Sequence, residues 1–432
     1  MMRTHYTSGL KDLEDGAEVT ICGWIQDIRK LGNISFLILR DREGIAQVTL
    51  VKKSLGDEAY KRISNLNRES VICVSGILKK DTQSKLGLEV IPNKIDILNE
   101  AEAPLPMGVI DRVSVDIETR LNHRFIDLRR PEVLSLFRIE SSLSRGIRET
   151  LEREGFIEIH TPKIIATATE GGTNLFRVKY FENDAFLVQS PQLYKQIMMA
   201  AGFDRVYEIA PAFRAEEHNT NRHLNEFVSI DIEMSFSTDE DAMNMLENVI
   251  YSSIDFIRRN NLKDLEILNL KVDLPERPFP RIKYDELLDY VNSKGIEMRF
   301  GDDFSSEALS VIGEKYRGFY FITRWPMEAR AFYVMPFEDD PRYGRAFDLQ
   351  FGEREITSGA QRNHIYSSLK ENIKRKGLNP DDFSFYLEAF RYGMPPHAGW
   401  AIGLERYTMI LTNSKNIREV TLFPRDRRRI VP

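Results

Sequence analysis

Hydrophobic and polar residues alternate with a period of two in five short segments of the first hundred residues. Such alternation predicts half-buried β-strands, here at 19–25, 34–40, 46–51, 70–76 and 88–91. A short helix is predicted at about residues 55–65, between the third and fourth strands. Five strands with one helix in this place are typical of a small closed barrel of the oligonucleotide-binding (OB) type.

Three residues of this predicted barrel are suited to contact unpaired bases. Phe36 could offer a stacking platform and Gln47 could read a base edge, with Arg29 nearby. The alternative for Phe36 is an ordinary aromatic residue of the barrel core.

The spacing of apolar residues lengthens after residue 130. From Glu132 to Glu154 they recur every three or four positions, which predicts a long amphipathic helix that ends at Gly155. A strand is predicted next, over 156–162, and Pro162 at its end suggests an edge or an interface. The remaining strands and helices follow no regular βαβ order, which favours an α+β domain on a mainly antiparallel sheet. The predicted organisation is a barrel over 1–102, a hinge or linker over 103–130 and the α+β domain over 131–432.

Composition narrows the class of protein. The chain has 432 residues, 42% hydrophobic and 29% charged, which is ordinary for a globular protein that does not enter a membrane. Its net charge of −6 argues against bulk attraction to nucleic acid, and no DNA partner is expected. The two cysteines, Cys22 and Cys73, have no metal-like spacing, so neither a disulfide framework nor a zinc site is expected. We expect a cytoplasmic protein without a membrane partner.

The most informative polar segment spans 213–227 and is predicted to form strand, charged loop and strand. Arg214 could grip a phosphate, Glu216 could accept a hydrogen bond from an adenine or a ribose, and Phe227 could stack on the base. The second strand continues with acids on one face, as if it formed the floor of a polar pocket; the residues on that face are Phe227, Ser229, Asp231 and Glu233. The alternative is an exposed hairpin with a salt-bridged tip.

A second segment carries acids that could hold a metal ion. A turn at 352–353 would place Gln350 opposite Glu355 and Asp348 opposite Thr357, with Asp348 and Glu355 on one face. Paired acids beside a nucleotide favour Mg²⁺, which takes one or two carboxylates plus phosphate oxygens. Solvated acids on an exposed strand are the alternative.

Two further segments could complete the same pocket. Gln192 and Lys195 share one face of a predicted helix, and Lys195 with Arg362 would supply two cations for one small anionic group. Upstream, Glu170 lies in a glycine-rich loop and could receive an ammonium group. Near the end of the chain, 399–406 is predicted to pass from strand into helix, with Arg406 able to reach a terminal phosphate.

Three motifs, in this order, resemble those that define the class II aminoacyl-tRNA synthetases. They are the helix and strand that end at Pro162, the hairpin 213–227, and Gly403-Leu404-Glu405-Arg406. The resemblance covers essentially the whole chain and is specific to aspartyl-tRNA synthetases of the archaeal and eukaryotic type, whose signatures resemble residues 189–196, 356–362 and 392–399. It implies an anticodon-binding barrel, a catalytic domain over 131–432 with a seven-stranded antiparallel fold, and a homodimer built partly through the motif at Pro162.

The resemblance also implies the residues of each site. For ATP they are Arg214, Glu216, Arg222, His223, Leu224, Phe227, Glu355, Gly403, Leu404, Glu405 and Arg406. For L-aspartate they are Glu170, Gln192, Lys195, Arg214, Ser358 and Arg362. For Mg²⁺ they are Asp348, Glu355 and Ser358, and for the anticodon Arg29, Phe36 and Gln47. The residues expected to matter most for catalysis are Arg214, Glu355 and Arg406.

The implied reaction is activation of L-aspartate by ATP and transfer of the aspartyl group to the terminal adenosine of tRNA(Asp). Family members that also charge tRNA(Asn) tend to have histidine in place of Gln26 and proline in place of Ser84, just before Lys85. The residues present here favour a discriminating enzyme. An asparaginyl enzyme is an alternative that Lys195 argues against, and a tRNA-binding relative without catalysis would be expected to lose Arg214, Glu355 or Arg406.

Overall fold

Alternating buried and exposed side chains build a closed five-stranded barrel near the start of the chain. Its strands join in the order β1-β2-β3-β5-β4. They are β1 Glu18–Leu31, β2 Ile34–Arg40, β3 Ile45–Val51, β4 Val71–Lys79 and β5 Glu89–Asn99. The inward residues, among them Ile21, Leu37 and Val48, are fully buried. The predicted OB-type barrel is confirmed.

The computed structural model describes residues 2–80, 84–110, 113–166, 174–217 and 220–432. It divides into two compact units, Met1–Arg130 and Pro131–Pro432. In the first unit, the helix predicted at about 55–65 is two short helices, α1 Lys52–Leu55 and α2 Asp57–Ser64. The segment 103–130 contains α3 Ile117–Asn122 and α4 Arg124–Asp127. That this segment acts as a hinge stays a prediction.

The expectation that the two cysteines form no disulfide is wrong. Cys22 on β1 lies directly opposite Cys73 on β4, with their Cα atoms 4.1 Å apart, and a disulfide joins them. The pairing is a matter of strand register. It brings together residues 51 positions apart, so spacing along the chain could not show it.

The second unit is built on an eight-stranded mixed sheet with the order β12-β13-β14-β15-β16-β11-β10-β6. Its strands are β6 Ile157–Glu158, β10 Arg205–Phe213, β11 Glu226–Ser235, β12 Arg281–Lys283, β13 Phe319–Pro326, β14 Tyr343–Phe351, β15 Arg354–Arg362 and β16 His397–Gly403. A smaller sheet consists of β7 Ile164–Ile165, β8 Arg177–Tyr180 and β9 Asn183–Leu187. Among the described strands of this sheet, the central ones are antiparallel, and only the edge strands β6 and β12 pair in parallel. The sheet is therefore mainly antiparallel, as predicted, with eight strands rather than the seven that the resemblance implied.

Helices cover both faces of this sheet. They are α5 Pro131–Arg153, α6 Gln192–Ala200, α7 Asp239–Asn260, α8 Leu262–Ile267, α9 Tyr284–Ser293, α10 Ser306–Lys315, α11 Tyr366–Arg375, α12 Ser384–Arg391 and α13 Leu404–Leu411. The long helices α5 and α7 bury Leu143 and Ile250 in one core with Ile232 and Trp400 of the sheet. A second core contains Leu193 of α6 and Tyr386 of α12.

Sequence predictions for the α5 region differ in accuracy. Helix α5 ends at Arg153, and Gly155 follows with φ +81°, a conformation that favours glycine. The strand predicted over 156–162 is only two residues long, because β6 pairs with β10 solely at Val206 and Tyr207. None of the helices within the described ranges combines the length and the hydrophobicity needed to span a bilayer.

Candidate active site

A cavity of about 340 Å³ opens on the face of the large sheet where β11, β15 and β16 meet α6 and α13. It collects most of the residues that the sequence nominated from separate segments. Those that line it are Gln192, Arg214, Glu216, Arg222, His223, Leu224, Phe227, Glu355, Ser358, Arg362, Gly403, Glu405 and Arg406. Leu404 does not line the cavity but packs in the core beneath it. Glu170 lies outside the described residues.

Two buried cations lie at one end of the cavity: Arg362 lines it, whereas Lys195 is not a lining residue but contacts Asp231, which is. Lys195 Nζ is 3.0 Å from Asp231 Oδ1 and 3.6 Å from Glu233 Oε2. Arg362 donates through Nε and Nη2 to the two oxygens of Glu233, at 2.9 and 3.3 Å. All four side chains are no more than 4% exposed. Charges removed from water in this way must be paired, and each cation here has an acid within reach.

The two acids of this cluster were missed as site residues. Asp231 and Glu233 were predicted to form the floor of a polar pocket, but the residues assigned to the amino acid did not include them. Burial would raise the pKa of Glu233, but Arg362 and Lys195 outweigh burial and hold it below its usual range. The available signal was the strand alternation of Ser229, Asp231 and Glu233 facing the two cations.

A neutral layer lies behind this cluster. His397 is fully buried, and burial lowers its pKa to about 4. Its Nε2 lies 3.2 Å from Gln196 Oε1, which also accepts a hydrogen bond from the hydroxyl of Tyr386 at 2.8 Å. The buried Nε2 of Gln192 has no hydrogen-bond partner among the described residues. That donor belongs to a cavity-lining side chain, so it is available to an acceptor on a bound molecule.

A register shift brings the three proposed metal ligands together. The turn at Gly352, with φ +56°, and the pairing of Gln350 with Glu355 agree with the prediction. The bulge between Leu349 and Gln350 was not predicted, and it sets Asp348 opposite Ser358 rather than Thr357. Because a bulge adds one residue to a strand, Glu355 and Ser358 both face the cavity.

The donor chemistry of this group fits Mg²⁺. Asp348, Glu355 and Ser358 offer only oxygen atoms, and two carboxylates completed by phosphate oxygens are a set that Mg²⁺ commonly accepts. Burial raises the pKa of Asp348 to about 7; nearby Arg330 opposes this shift and Glu355 adds to it. In the part of the chain that the structure describes, no group of three or more His, Cys, Asp or Glu side chains could hold a metal ion. The fit therefore depends on a ligand that brings its own phosphate oxygens.

The opposite end of the cavity is more open. Arg406 Nη1 lies 3.7 Å from Glu355 Oε1, and Arg222 Nη2 lies 3.0 Å from Glu353 Oε1. These side chains are between 33% and 44% exposed. Arg214 is centred 5.5 Å from the ring of Phe227, so a planar cation and an aromatic face lie side by side.

Glu405 ties the start of α13 to β11. Its carboxylate accepts from the backbone N–H of Val228 at 2.9 and 3.2 Å, and it is 5% exposed. Burial raises the pKa of Glu405 to about 7, opposed by that hydrogen bond. Burial and the nearby Arg406 lower the pKa of His223. A neutral imidazole would therefore lie among the arginines at this end.

In the barrel, the three nominated residues share one face. Arg29 pairs with Phe36 across β1 and β2, while Gln47 on β3 donates to Glu89 Oε2 at 3.2 Å. The arginine side chain is 68% exposed and the other two are partly buried. Glu89 was not predicted as a site residue. Its hydrogen bond orients Gln47, the residue predicted to read a base edge.

The two residues proposed for tRNA discrimination lie at irregular points of the barrel. Gln26 occupies the bulge between Ile25 and Asp27 on β1. Lys85 is exposed in the turn 84–87. In the second unit, Pro162 is exposed beyond the edge strand β6. These observations give their positions and leave their roles as predictions.

Comparison with known proteins defines the class. Residues 116–427 match the family of class II tRNA synthetases (D, K and N), and residues 19–98 match the OB-fold nucleic acid binding domain. The chain therefore belongs to the class II aminoacyl-tRNA synthetases and carries an OB-fold domain ahead of the synthetase domain.

Individual relatives narrow the class further. The chain is 53% identical over 430 residues to the aspartate–tRNA(Asp/Asn) ligase of Methanocaldococcus jannaschii, covering 100% of this chain and 98% of the relative. It is 55% identical over 432 residues to the aspartate–tRNA(Asp) ligase of Thermoplasma acidophilum, covering 100% of both chains. A crystal structure of asparaginyl-tRNA synthetase from Pyrococcus horikoshii, complexed with asparaginyl-adenylate, matches with a TM-score of 0.94 at 32% identity, covering 100% of both chains.

Proposed function

We propose that the protein is an aspartate–tRNA ligase. It activates L-aspartate with ATP to form aspartyl-adenylate, then transfers the aspartyl group to the 3′-terminal adenosine of tRNA(Asp). The observation that carries this proposal is the buried pair of cations at one end of a cavity whose other end is rich in arginine: Arg362 lines the cavity, and Lys195 contacts the lining residue Asp231. The relatives named as aspartate–tRNA ligases, at 53–55% identity over the whole chain, support the same substrate.

Charge matching explains why this end would select aspartate. The substrate side-chain carboxylate would accept hydrogen bonds from Lys195 and Arg362, and its ammonium group would donate to Asp231. Gln192 would supply a further donor through its unpartnered Nε2. Asparagine has the same shape, but its amide N–H groups would face buried N–H donors. A mismatch of that kind costs several kcal/mol because the donors are left unpaired.

The arginine-rich end would hold ATP. Phe227 would stack on the adenine, Arg214 would bridge the α-phosphate and the substrate carboxylate, and Arg406 would bind the γ-phosphate. The α-carboxylate oxygen attacks the α-phosphorus, a new P–O bond forms, and the bond to the β-phosphate oxygen breaks to release pyrophosphate. Two anions must approach each other, so the arginines act mainly by neutralising charge and orienting the reactants.

The proposed cation site lies beside this reaction centre. Asp348, Glu355 and Ser358 would hold Mg²⁺. When bound, Mg²⁺ supplies charge neutralisation to the phosphate oxygens. Asp348 lies opposite Ser358 across the two strands, and Glu355 and Ser358 line the cavity.

Transfer to tRNA requires both units of the chain. Arg29, Phe36 and Gln47 would contact the anticodon on the outer face of the barrel. The terminal adenosine hydroxyl would then take the aspartyl group from the adenylate, releasing AMP. No side chain lining the described cavity is an obvious general base for this step.

The range of tRNA substrates is tested directly by charging. Labelled aspartate and ATP would be supplied with tRNA(Asp) and tRNA(Asn) in parallel. Charging of tRNA(Asp) alone supports a discriminating enzyme and a role for Gln26 and Lys85. Charging of both supports the dual activity named for the Methanocaldococcus jannaschii relative. Charging of neither would overturn the proposed function.

Asparagine is the second candidate amino acid. The observation in its favour is the TM-score of 0.94 with an asparaginyl-tRNA synthetase. Backbone similarity does not determine pocket charge, and the lower identity of 32% leaves the side chains free to differ. The cationic pair argues for aspartate.

We further propose a homodimer formed through the edge of the large sheet. The edge strand β6 exposes Ile157 at 49%, and Ile164 beyond it is also 49% exposed, with the exposed Pro162 between them. An exposed apolar sheet edge is suited to pairing with another chain. Sedimentation of the wild type and an Ile157→Asp variant tests this, with a dimer expected only for the wild type.

A further inference from the structure

Arg330, which the sequence did not nominate, contacts a proposed Mg²⁺ ligand. Its Nη2 lies 2.6 Å from Asp348 Oδ2, and its Nη1 lies 3.4 Å from Asp348 Oδ1. The arginine side chain is 14% exposed and the aspartate 2% exposed. Arg330 also lines the cavity, so its charge acts where ATP is proposed to bind.

The guanidinium of Arg330 is held in place by stacking. It lies 3.6 Å from the ring centroid of Trp325. Its Nε is buried and has no hydrogen-bond partner among the described residues. Arg330 is therefore a positioned positive charge at the edge of the proposed cation site, with Asp348 as its ion-pair partner.

The two proposed metal carboxylates are paired with arginine in different ways. The contact between Glu355 and Arg406 is 3.7 Å long and 33–42% exposed, so water can replace it at little cost. The contact between Asp348 and Arg330 is short and buried. A divalent cation arriving alone would meet a carboxylate that is already neutralised and a fixed like charge beside it.

We propose that Arg330 is a positioning residue that makes cation binding depend on ATP. Its charge disfavours a free divalent cation between Asp348 and Glu355. The phosphates of ATP add negative charge and offset that repulsion, so the cation is retained together with the nucleotide. The two-oxygen contact then keeps Asp348 oriented toward Ser358, its neighbour across the strands. This inference rests on the proposed function, because it takes Asp348 and Glu355 as cation ligands.

Binding of Mn²⁺ to nucleotide-free enzyme tests the inference without any turnover. Electron paramagnetic resonance reports the free Mn²⁺ that remains at each protein concentration. Arg330→Gln removes the charge and is expected to tighten Mn²⁺ binding about tenfold, which corresponds to about 1.4 kcal/mol. Arg330→Lys keeps a point charge and is expected to stay within about twofold of the wild type.

Arg324→Gln is the matched control. Arg324 lies on β13, shortly before Arg330 in the chain, and also makes a 2.6 Å ion pair, with Asp339, but it does not line the cavity. Its loss should leave Mn²⁺ affinity unchanged. If Arg330 had a purely structural role, Arg330→Gln would weaken Mn²⁺ binding instead of tightening it, because a disordered site would bind Mn²⁺ more weakly.

The outcomes separate this inference from the proposed cation site. If Glu355→Gln loses Mn²⁺ binding while Arg330→Gln binds it no more tightly than the wild type, only the role of Arg330 is overturned. If Glu355→Gln binds Mn²⁺ as the wild type does, the cation site and the inference both fail. If Arg330→Gln does not fold, Arg330→Lys provides the test, with Mn²⁺ affinity compared between the ATP-bound and the nucleotide-free enzyme. Tighter Mn²⁺ binding to the ATP-bound enzyme in Arg330→Lys supports the inference. Equal Mn²⁺ binding to both states overturns it.

Discussion

The charged side chains at the two ends of the cavity differ in burial and in pairing. At the end proposed to bind the amino acid, Lys195 and Arg362 are 2–4% exposed and pair with Asp231 and Glu233. At the end proposed to bind the phosphates, Arg222 and Arg406 are 44% and 33% exposed, and Arg406 lies 3.7 Å from Glu355. Buried charges discriminate strongly because an unmatched partner cannot be solvated. Exposed charges lose less on rearrangement, which suits a site that must bind ATP and release pyrophosphate in every cycle.

The largest expected effect is at the junction of the two ends. Arg214→Ala should lower aspartate-dependent ATP–pyrophosphate exchange about 1,000-fold or more, because one guanidinium is proposed to orient both reacting anions. The fold should persist, since the side chain lines an open cavity. Arg205→Ala, at the exposed start of β10, the strand that Arg214 directly follows, is the control and should retain exchange. Near wild-type exchange in Arg214→Ala would reject its assigned role.

The next largest effect is expected at the buried end. Lys195→Ala leaves Asp231 without its cation and should lower the free energy of unfolding by about 3–5 kcal/mol. The preference for aspartate over asparagine in exchange assays should fall about 100-fold.

A buried ion pair in the first unit provides the control for Lys195→Ala. Arg124 and Asp127 in the first unit are 1% and 0% exposed and lie 2.5 Å apart. Arg124→Ala should also destabilise the protein but should leave the amino-acid preference unchanged. Equal discrimination in Lys195→Ala and the wild type would show that burial of this lysine serves stability alone.

His397, in the neutral layer behind the buried cluster of Lys195 and Arg362, should make the free energy of unfolding depend on pH. Because the pKa of folded His397 is about 4 against an ordinary 6.5, the unfolded chain binds a proton that the folded chain does not bind between these values. The contribution of His397 to the free energy of unfolding is thus present above pH 6.5 and is lost as pH falls toward 4. The loss from this residue between pH 7 and pH 5 should be about 2 kcal/mol. Urea unfolding of His397→Gln should show a smaller loss; an unchanged pH dependence would place the effect in other groups.

The smallest effect is expected at the open end. Arg406→Gln should raise the KM for ATP about tenfold through loss of a charge-assisted phosphate contact. Its stability should stay within about 1 kcal/mol of the wild type, because the contact with Glu355 is long and exposed. A destabilisation as large as that of Lys195→Ala would remove the contrast between the two ends.

Periodicity predicted the barrel and part of the second unit. The five barrel strands, helix α5 and the hairpin turn at Gly352 follow from local patterns, because each depends on near neighbours. The length of β6 does not, since it depends on how many residues β10 can pair at the edge of the sheet.

The site was predicted less completely because its contacts cross long stretches of chain. Arg362 meets Glu233 across 129 residues, and Lys195 meets Asp231 across 36. The bulge that sets Asp348 opposite Ser358 is likewise a matter of tertiary register. Sequence motifs identified the cations, and strand alternation placed Asp231 and Glu233 on the floor of a polar pocket; the pairing of these acids with Lys195 and Arg362 is shown only by the folded sheet.

The most direct test of the central claim is ATP–pyrophosphate exchange with L-aspartate and L-asparagine supplied separately to the wild-type enzyme. The buried pair of Lys195 and Arg362 predicts a kcat/KM for aspartate about 1,000-fold or more above that for asparagine. Equal exchange with both amino acids, or a preference for asparagine, would contradict the proposal that this buried charge selects the substrate.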